Sequence, residues 1–306
     1  AVSAGTGTVG GLAYEAIKTP DAVTHNPYDV SFSATFGAAP AVFAAMQTYD
    51  GGDPSHMRLD SDVTVSGVSL FVEEETCSDA ELAHTTETVG VIAIGKGTMG
   101  GDGPLLEVGS ASADLTSIRI TFAGSYSKPI IIAGTPTHNG DEEVAIRIQA
   151  HPRRMCGLPL TNTNAGETQM PDVAVAPAAC NTGAGDGTYF DLYADIPNHG
   201  AGQGAICGGN SHASEDFSWL ITEEGSFNGL YAGHVLSACG GGSLCPSGGD
   251  HSTGFDWVQA TYGGATINDP VVISQMQSHT GDDWAKTRHR NVDSSGFEIK
   301  MEEDGL

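Results

Sequence analysis

Three arginines recur at one spacing, and their side chains are able to bind a ligand or another domain. Arg58, Arg147 and Arg288 each lie eighteen positions after a proline that begins an apolar run, although the chain holds only 12 lysines and arginines in all. A guanidinium group binds a carboxylate through two parallel hydrogen bonds, and its donors also suit sugar hydroxyls and loop carbonyls. These arginines are therefore candidates for sugar contacts or inter-domain contacts, and their recurrence favours a structural role.

Two histidine–glutamate pairs share a second spacing. His84 and Glu87, and likewise His212 and Glu215, stand three residues apart, just before an apolar segment. Residues three apart on an extended strand face opposite sides, so both could bind one metal ion only across a turn. A hydrogen bond that organises the loop is the favoured interpretation, and the pattern is not the His-Glu-x-x-His of metalloproteases.

Acidic clusters are the remaining ligand-like feature. Carboxylate oxygens suit Ca²⁺, but no EF-hand loop is present, and charged, solvated turns are the favoured interpretation. The clusters are residues 73–75, 141–143 and 282–283. We expect no metal site and no cofactor, with Ca²⁺ as the alternative.

The sequence lacks the patterns that usually mark an enzyme. It contains no nucleophile elbow, P-loop or dinucleotide fingerprint, and the Gly-rich residues 97–103 do not stand between a strand and a helix. Trp219 lies in an apolar segment and is expected in a core, whereas Trp284 follows two aspartates in a turn and could stack on a sugar ring. We therefore predict a binding or assembling protein, not an enzyme.

Composition limits the partners and the compartment. The 306 residues carry a net charge of −26, which disfavours nucleic acid, and no apolar run is long enough to insert in a membrane. The six cysteines form no Cys-x-x-Cys motif, so zinc is not expected. Cys239 and Cys245 flank a Gly-rich stretch that suits a small disulfide loop, while the other pairings stay open. We expect an extracellular, secreted or cell-surface protein.

The three arginines recur at one spacing because the chain contains an internal repeat. A proline opens three apolar runs, and a hydroxyl residue, a glycine and an arginine follow eight, eleven and eighteen positions later. The prolines are Pro40, Pro129 and Pro270, the hydroxyl residues Thr48, Thr137 and Ser278, and the glycines Gly51, Gly140 and Gly281. The apolar runs read as buried strands and the glycines as tight turns.

The repeat predicts an all-β fold of three tandem antiparallel β-sandwich units. We expect a donor strand and linker over residues 1–27, followed by units over 28–110, 111–235 and 236–306. The second unit carries a surface-loop insertion at residues 157–187, which is rich in Asn, Thr, Ala, Gly and Pro. The third unit lacks its last strand, because the sequence ends before a counterpart of His84 to Ile94.

An N-terminal segment is the expected replacement for that strand. Residues 8–14 resemble residues 88–94, and the assembly strand is assigned to Val9, Gly10, Leu12, Ala13 and Tyr14. The strand could complete the third unit of a neighbouring molecule and build a head-to-tail polymer. It could also close a pseudo-trimer within its own chain, or the chain could be a fragment of a longer repeat array.

At these residues the sequence resembles the H-type lectin domain family. The shared pattern is an aromatic strand before a Pro-led apolar strand, an arginine on the next strand, a Gly-Phe strand and a last strand with Trp. It lies at residues 36–43, 122–132 and 262–273, at the three arginines, at Gly296-Phe297 and at Trp219-Leu220. The resemblance implies six-stranded sandwiches, trimeric packing and binding of galactose-type sugars, although the His-x-x-Glu pairs and the long insertion depart from it.

The sequence thus favours a secreted structural or adhesive protein that self-assembles head-to-tail, as a filament or matrix, by strand complementation. The alternative is a lectin-like, carbohydrate-binding protein. Its expected partners are copies of itself and glycans.

Overall fold

The fold consists of β-strands joined by turns and loops. The computed structural model describes residues 1–75, 81–99, 106–124, 126, 128–150, 189–196, 212–227, 229–235, 257–277 and 285–303, and these contain no helix. The strands are β1 (Val2–Ser3), β2 (Gly5–Val9), β3 (Leu12–Lys18), β4 (Tyr28–Ser31), β5 (Ala41–Met46), β6 (Ser55–Leu59), β7 (Gly67–Glu74), β8 (Val89–Ile94), β9 (Gly97–Met99), β10 (Leu106–Ala113), β11 (Ile118–Thr121), β12 (Pro129–Gly134), β13 (Ala145–Ala150), β14 (Tyr189–Asp195), β15 (Glu215–Glu223), β16 (Gly225–Phe227), β17 (Leu230–Ala232), β18 (Val258–Thr261), β19 (Pro270–Val271), β20 (Ala285–Arg290) and β21 (Gly296–Glu303). Within these residues, no segment has the length and apolarity of a membrane-spanning helix.

The strands form six antiparallel sheets that combine in pairs, and we call the pairs copies one, two and three. Copy one has the sheet orders β2-β3-β8-β5 and β4-β7-β6, and copy two has β9-β10-β15-β12 and β11-β14-β13. Copy three has β16-β17-β1-β19 and β18-β21-β20. The same order therefore recurs three times, with one sheet of four strands and one of three. The prediction of an all-β, antiparallel fold is confirmed.

Each copy encloses a core between its two sheets, in a sandwich-like arrangement. Val42, Leu70 and Val91 are fully buried in copy one, and Ile131 and Leu192 in copy two. The alternation of half-buried and buried residues along β14 is the period of two that a strand with one core face requires. Strand β8 is instead buried at every position, because one of its faces lies in the copy-one core and the other packs in apolar clusters that include residues of the other copies.

The N-terminal residues lie in copy three of the same chain. Val2 pairs with Leu230 on one side and with Val271 on the other, so β1 occupies the centre of that sheet. In copy one the corresponding strand is β8, where Ile94 pairs with both Tyr14 and Ala41. Val2 is thus the equivalent of Ile94 and is 1 % exposed.

The structure differs here from the predicted assembly strand. Leu12, Ala13 and Tyr14 belong to β3, which pairs with β8 in copy one, while Val9 ends β2 and Gly10 lies in the turn between the two strands. Residues 8–14 resemble residues 88–94 only locally, because both are short apolar stretches with glycine. A two-residue strand such as Val2–Ser3 is too short to show a hydrophobic period.

The copies also begin earlier in the chain than the predicted boundaries at residues 28, 111 and 236. Strands β2, β9 and β16 open copies one, two and three as the first strands of hairpins with β3, β10 and β17. The last strand of each copy runs into the opening hairpin of the next copy through a glycine three residues after Val2, Ile94 or Thr222. These glycines, Gly5, Gly97 and Gly225, have φ of 127°, 152° and 144°, a conformation that other residues rarely adopt.

The three four-stranded sheets meet at a shared apolar cluster that includes Phe43, Leu106, Ile130 and Ala232. Side-chain amides link the sheets there, since Gln47 Nε2 donates to the carbonyl of Val272 at 2.8 Å and Gln47 Oε1 accepts from its N–H at 2.9 Å. Gln277 makes the same two bonds to Ile131 at 2.6 and 3.0 Å. A cavity of about 100 Å³ in this region is lined by residues of all three copies.

Several predicted features lie outside the described residues. They are the disulfide candidates Cys239 and Cys245, the sugar-stacking candidate Trp284, Ser278 and Gly281 of the repeat, and the insertion at residues 157–187.

Candidate functional site

The repeat residues converge on a buried glutamate between copies one and two, which we call the one–two junction. Glu215 accepts hydrogen bonds from Thr137 Oγ1 at 2.7 Å, from the N–H of Asn139 at 3.0 Å and from the N–H of Gly140 at 2.9 Å. Arg58 of copy one donates to Glu215 Oε1 through Nη2 at 3.1 Å. The carboxylate is therefore surrounded by donors from both copies.

Arg58 is the centre of this junction on the copy-one side. Its side chain is fully buried, and Nη1 donates to Glu73 Oε2 at 2.6 Å. Nε donates to the carbonyl of Thr137 at 2.8 Å, and Nη1 also lies 3.3 Å from the carbonyl of Glu142. Every guanidinium nitrogen thus has a partner, and the contacts join two copies, as a structural arginine would.

An equivalent site, the three–one junction, lies between copies three and one. Glu87 accepts hydrogen bonds from Thr48 Oγ1 and from the N–H groups of Asp50 and Gly51, the latter two at 3.0 and 3.3 Å. Arg288 Nη2 of copy three donates to Glu87 Oε1 at 3.0 Å. His84 Nε2 lies 3.2 Å from the same oxygen.

Arg288 repeats most of the contacts of Arg58 in this second setting. It is 1 % exposed, and Nη1 donates to Ser55 Oγ at 2.8 Å and to Glu302 Oε2 at 3.2 Å. Lys286 and Lys300 also lie within 3.8 and 3.2 Å of Glu302, so this carboxylate has three basic side chains around it.

The histidines explain why the repeat needs glycine at the turn. A Cβ atom on Gly51 would lie 2.3 Å from His84 Cε1, and one on Gly140 would lie 2.8 Å from His212 Cε1. Each histidine ring therefore covers its glycine, and the His-x-x-Glu pair closes over the turn. His84 Nδ1 contacts Glu74 at 2.5 Å, whereas His212 Nε2 lies 3.0 Å from the carbonyl of Glu142.

Burial and pairing act in opposite directions on the junction carboxylates. Burial alone raises the pKa of Glu87, but the hydrogen bonds of His84 and Thr48 and the charge of Arg288 outweigh it and lower the pKa below its ordinary value. The pKa of Glu73 is lowered in the same way, against burial, by His56 and Arg58. These groups are therefore held as carboxylates.

The third arginine has the same partner within its own copy. Arg147 Nη1 lies 3.1 Å from Asp195 Oδ2, and its side chain is 4 % exposed. Asp195 corresponds to Glu73 and Glu302, since each acid stands two residues beyond the cross-strand partner of its arginine. The arginine-to-acid pair is thus common to all three copies.

These acids were missing from the sequence prediction although the sequence carried a signal for them. The strands β7, β14 and β21 all end in acidic residues, and each lies beside an arginine strand. Recognising the pair would have required the register between the two strands. The acidic cluster at residues 73–75 therefore serves the junctions in part, and is not simply a solvated turn.

Aromatic residues add a second contact at the three–one junction. Tyr49 of copy one meets Trp257 of copy three edge to face, with ring centroids 5.2 Å apart. The guanidinium of Arg290 lies 4.2 Å from the Trp257 ring, and Lys300 Nζ lies 4.1 Å from the Tyr49 ring. Trp219, by contrast, packs against the copy-two core, as expected from its apolar segment.

The acids of the junctions are buried and lie against the arginines of the neighbouring copy. Three carboxylates, those of Asp53, Glu74 and Glu81, have oxygens within 4.8 Å of one another, but Glu74 already contacts His84. The chemistry that the geometry supports is the joining of copies. No family model, curated protein or solved structure matches the chain.

Proposed function

We propose that this chain is an extracellular structural or adhesive protein made of three H-type-lectin-like sandwich units. We further propose that separate molecules of it associate by exchanging the N-terminal strand. The observation that supports this proposal is the position of Val2–Ser3 in the centre of the copy-three sheet. When residues 1–4 bind copy three of their own chain, the molecule is a closed pseudo-trimer. They link chains head to tail when they bind the copy three of another molecule.

The contacts between copies three and one make both states chemically equivalent. Arg288 with Glu87, Gln47 with Val272 and Tyr49 with Trp257 all join these two copies. The same contacts would form between molecules if the strand were exchanged. Association therefore requires no new interface, because the contacts that break within the chain on release of the strand are re-formed between molecules.

The strand itself is suited to exchange. Two of its residues pair with β19, whereas six residues of β8 pair with β5 in copy one. Gly5 stands two residues after it, with a φ of 127° and nothing within 4 Å of where its Cβ would be, so the backbone there has the conformational freedom of glycine. A short strand beside an unobstructed glycine is released at lower cost than a full-length one.

The experiment mixes an acceptor and a donor. A tagged variant that lacks residues 1–4 is incubated with the untagged full-length chain, and the tagged protein is recovered by affinity. We expect the full-length chain to be recovered with it, because the acceptor leaves a site that Val2 fills. Negative-stain images of the mixture and of the concentrated full-length chain then show whether assemblies grow beyond pairs.

Two donor variants provide the control. Val2→Asp places a charge at a buried position and should abolish recovery, whereas Val65→Asp changes a side chain that is 49 % exposed and should not. Equal recovery of the Val2→Asp donor, or no recovery of the unmodified donor, would refute strand exchange. Retention of the closed monomer in all mixtures would leave the pseudo-trimer as the functional form.

Carbohydrate binding is the second candidate function. The half-buried Tyr49 and Trp257, with Arg290 and Lys300 beside them, form a cluster of aromatic and hydrogen-bonding groups of the kind that binds sugars. A glycan array tests it, and a hit should weaken in Trp257→Ala and persist in Trp219→Phe. An array without hits counts against this function.

A further inference from the structure

The three copies present three equivalent sheet edges, and one of them differs from the other two. Strands β2, β9 and β16 are the outermost strands of the four-stranded sheets of copies one, two and three. An outermost strand leaves one row of N–H and C=O groups without a neighbouring strand, which makes it a template for pairing with another chain. Soluble proteins usually protect such edges by shortness, charge or proline.

Two of these edges carry that protection. Strand β9 has three residues and follows Lys96, and β16 has three residues and follows Glu223 and Glu224. Short strands flanked by charge resist pairing with another strand. The edges of copies two and three are therefore protected against pairing with a strand of another chain.

The edge of copy one has neither device. Strand β2 has five residues, Gly5–Val9, and no described strand pairs with its outer side. Residues 1–14 include no charged or proline residue, and Thr6 and Thr8 are exposed. The nearest acid is Glu15, which lies opposite Thr6 but is buried and accepts bonds from Ser33 and Ala34.

We propose that the outer edge of Gly5–Val9 pairs antiparallel with the same edge of a second copy of this chain. The sequence Gly-Thr-Gly-Thr-Val is nearly symmetric about Gly7, so a two-fold pairing places Thr6 of one copy opposite Thr8 of the other. Opposed threonines are favourable cross-strand pairs. The interface is isologous and closes as a dimer.

The near symmetry of Gly5–Val9 points to a second copy of this chain as the occupant, because an identical antiparallel strand places threonine opposite threonine, and the edge carries no charge that would oppose it. The chain carries a net charge of −26, so most approaches between two copies are repulsive. The uncharged β2 edge is a place where two such molecules can come together without opposing carboxylates. This contact is separate from strand exchange, because it uses the edge of β2 opposite β3 and none of residues 1–4.

The experiment measures self-association by analytical ultracentrifugation across about a hundredfold range of protein concentration. Thr6→Lys/Thr8→Lys should weaken dimerisation by about tenfold or more, because it places lysines opposite lysines. The matched control is Thr98→Lys, an exposed threonine on the protected strand β9, and it should leave the dimer unchanged. Amide hydrogen exchange of residues 5–9 should slow as the concentration rises.

A charge swap makes the test specific. The Thr6→Glu/Thr8→Glu variant should not dimerise alone, but it should form a mixed dimer with the Thr6→Lys/Thr8→Lys variant, since each lysine then faces a glutamate. A wild-type monomer across the range, or equal loss in Thr98→Lys, would overturn the proposal. Loss of association in Val2→Asp but not in the lysine variant would assign all association to strand exchange, and the reverse result would assign it to this edge.

Discussion

The one–two and three–one junctions use the same residue types but distribute charge differently. At the one–two junction, Arg58 is the cation that joins Glu73 and Glu215, with all its nitrogens bonded. At the three–one junction, Arg288 shares Glu302 with Lys286 and Lys300, and it shares Glu87 with His84. Histidines are the other basic groups beside the acids of the one–two junction, whereas lysines lie beside Glu302 at the three–one junction.

This difference shows how a repeated framework tolerates variation between copies. The hydroxyl, the turn amides and the glutamate are common to both junctions, because they fix the loop before the last strand. The neighbours of the arginine are not common to both, since Phe71 pairs across from Arg58 whereas Lys300 pairs across from Arg288. Lys300 beside Glu302 at the three–one junction should make that arginine less critical.

Replacement of the junction arginines should cause the largest loss of stability and tests the difference between the junctions. Arg58→Met should lower the free energy of unfolding by about 3–5 kcal/mol, because it leaves two buried carboxylates without their arginine. Arg288→Met should cost less, about 1–3 kcal/mol, since Lys300 remains 3.2 Å from Glu302. Urea denaturation of both variants measures the difference.

An exposed arginine supplies the control for that pair. Arg119 is 55 % exposed and bonds to Asp191, so Arg119→Met should change the free energy of unfolding by about 1 kcal/mol or less. Equal losses in Arg58→Met and Arg288→Met would contradict the argument from Lys300. A loss in Arg119→Met as large as in Arg58→Met would show that the buried junctions are not special.

Substitution of the turn glycines by alanine should cause a smaller loss of stability, and it compares the two junctions at their turns. Gly51→Ala should destabilise by about 1–3 kcal/mol, because the new methyl group would overlap the His84 ring. Gly140→Ala should cost less, since its Cβ would lie 2.8 Å from the His212 ring instead of 2.3 Å. Gly52→Ala is the matched control, because nothing lies within 4 Å of its Cβ position. If thermal unfolding ranks the variants in a different order, contact with the histidine rings does not determine the cost of these substitutions.

The sequence predicted the all-β fold because the Pro-led apolar runs and the turn glycines are local signals. Arg58 and Glu215 were both selected from their repeated spacing, yet their contact across 157 positions could not be read from it. The acid Glu73 was noted only as part of an acidic cluster, and Glu302 was not singled out, because their pairing with arginine depends on register. Register follows from packing between strands, which a single sequence does not display.

The N-terminal strand shows the same limit more sharply. The prediction that an N-terminal segment completes copy three came from counting strands, which is a topological argument. Its location failed because Val2–Ser3 offers one apolar side chain, whereas Leu12–Lys18 offers a visible pattern. What places Val2 is the slot between Leu230 and Val271, which exists only once copy three has folded.

The last prediction concerns the pH dependence of stability, which separates the two junctions. Lys286 is buried at the three–one junction, and burial lowers its pKa from 10.5 to about 7, against the opposing charge of Glu302. The unfolded chain therefore binds one more proton than the folded chain between about pH 7 and 10.5. Stability from this group rises as pH increases through that window, by up to about 1.4 kcal/mol per pH unit, and is lost as pH falls.

Lys286→Met tests that assignment, because it removes the titrating amine and keeps the apolar stem. The free energy of unfolding of the variant should rise less between pH 7 and 9 than that of the unaltered chain, with urea titrations at both values as the measurement. Lys128→Met is the control, since Lys128 is 62 % exposed and should leave the pH slope unchanged. An unchanged slope in Lys286→Met would mean that the amine is charged in the folded protein. The three–one junction would then hold a further full positive charge, and the contrast with the one–two junction would become greater.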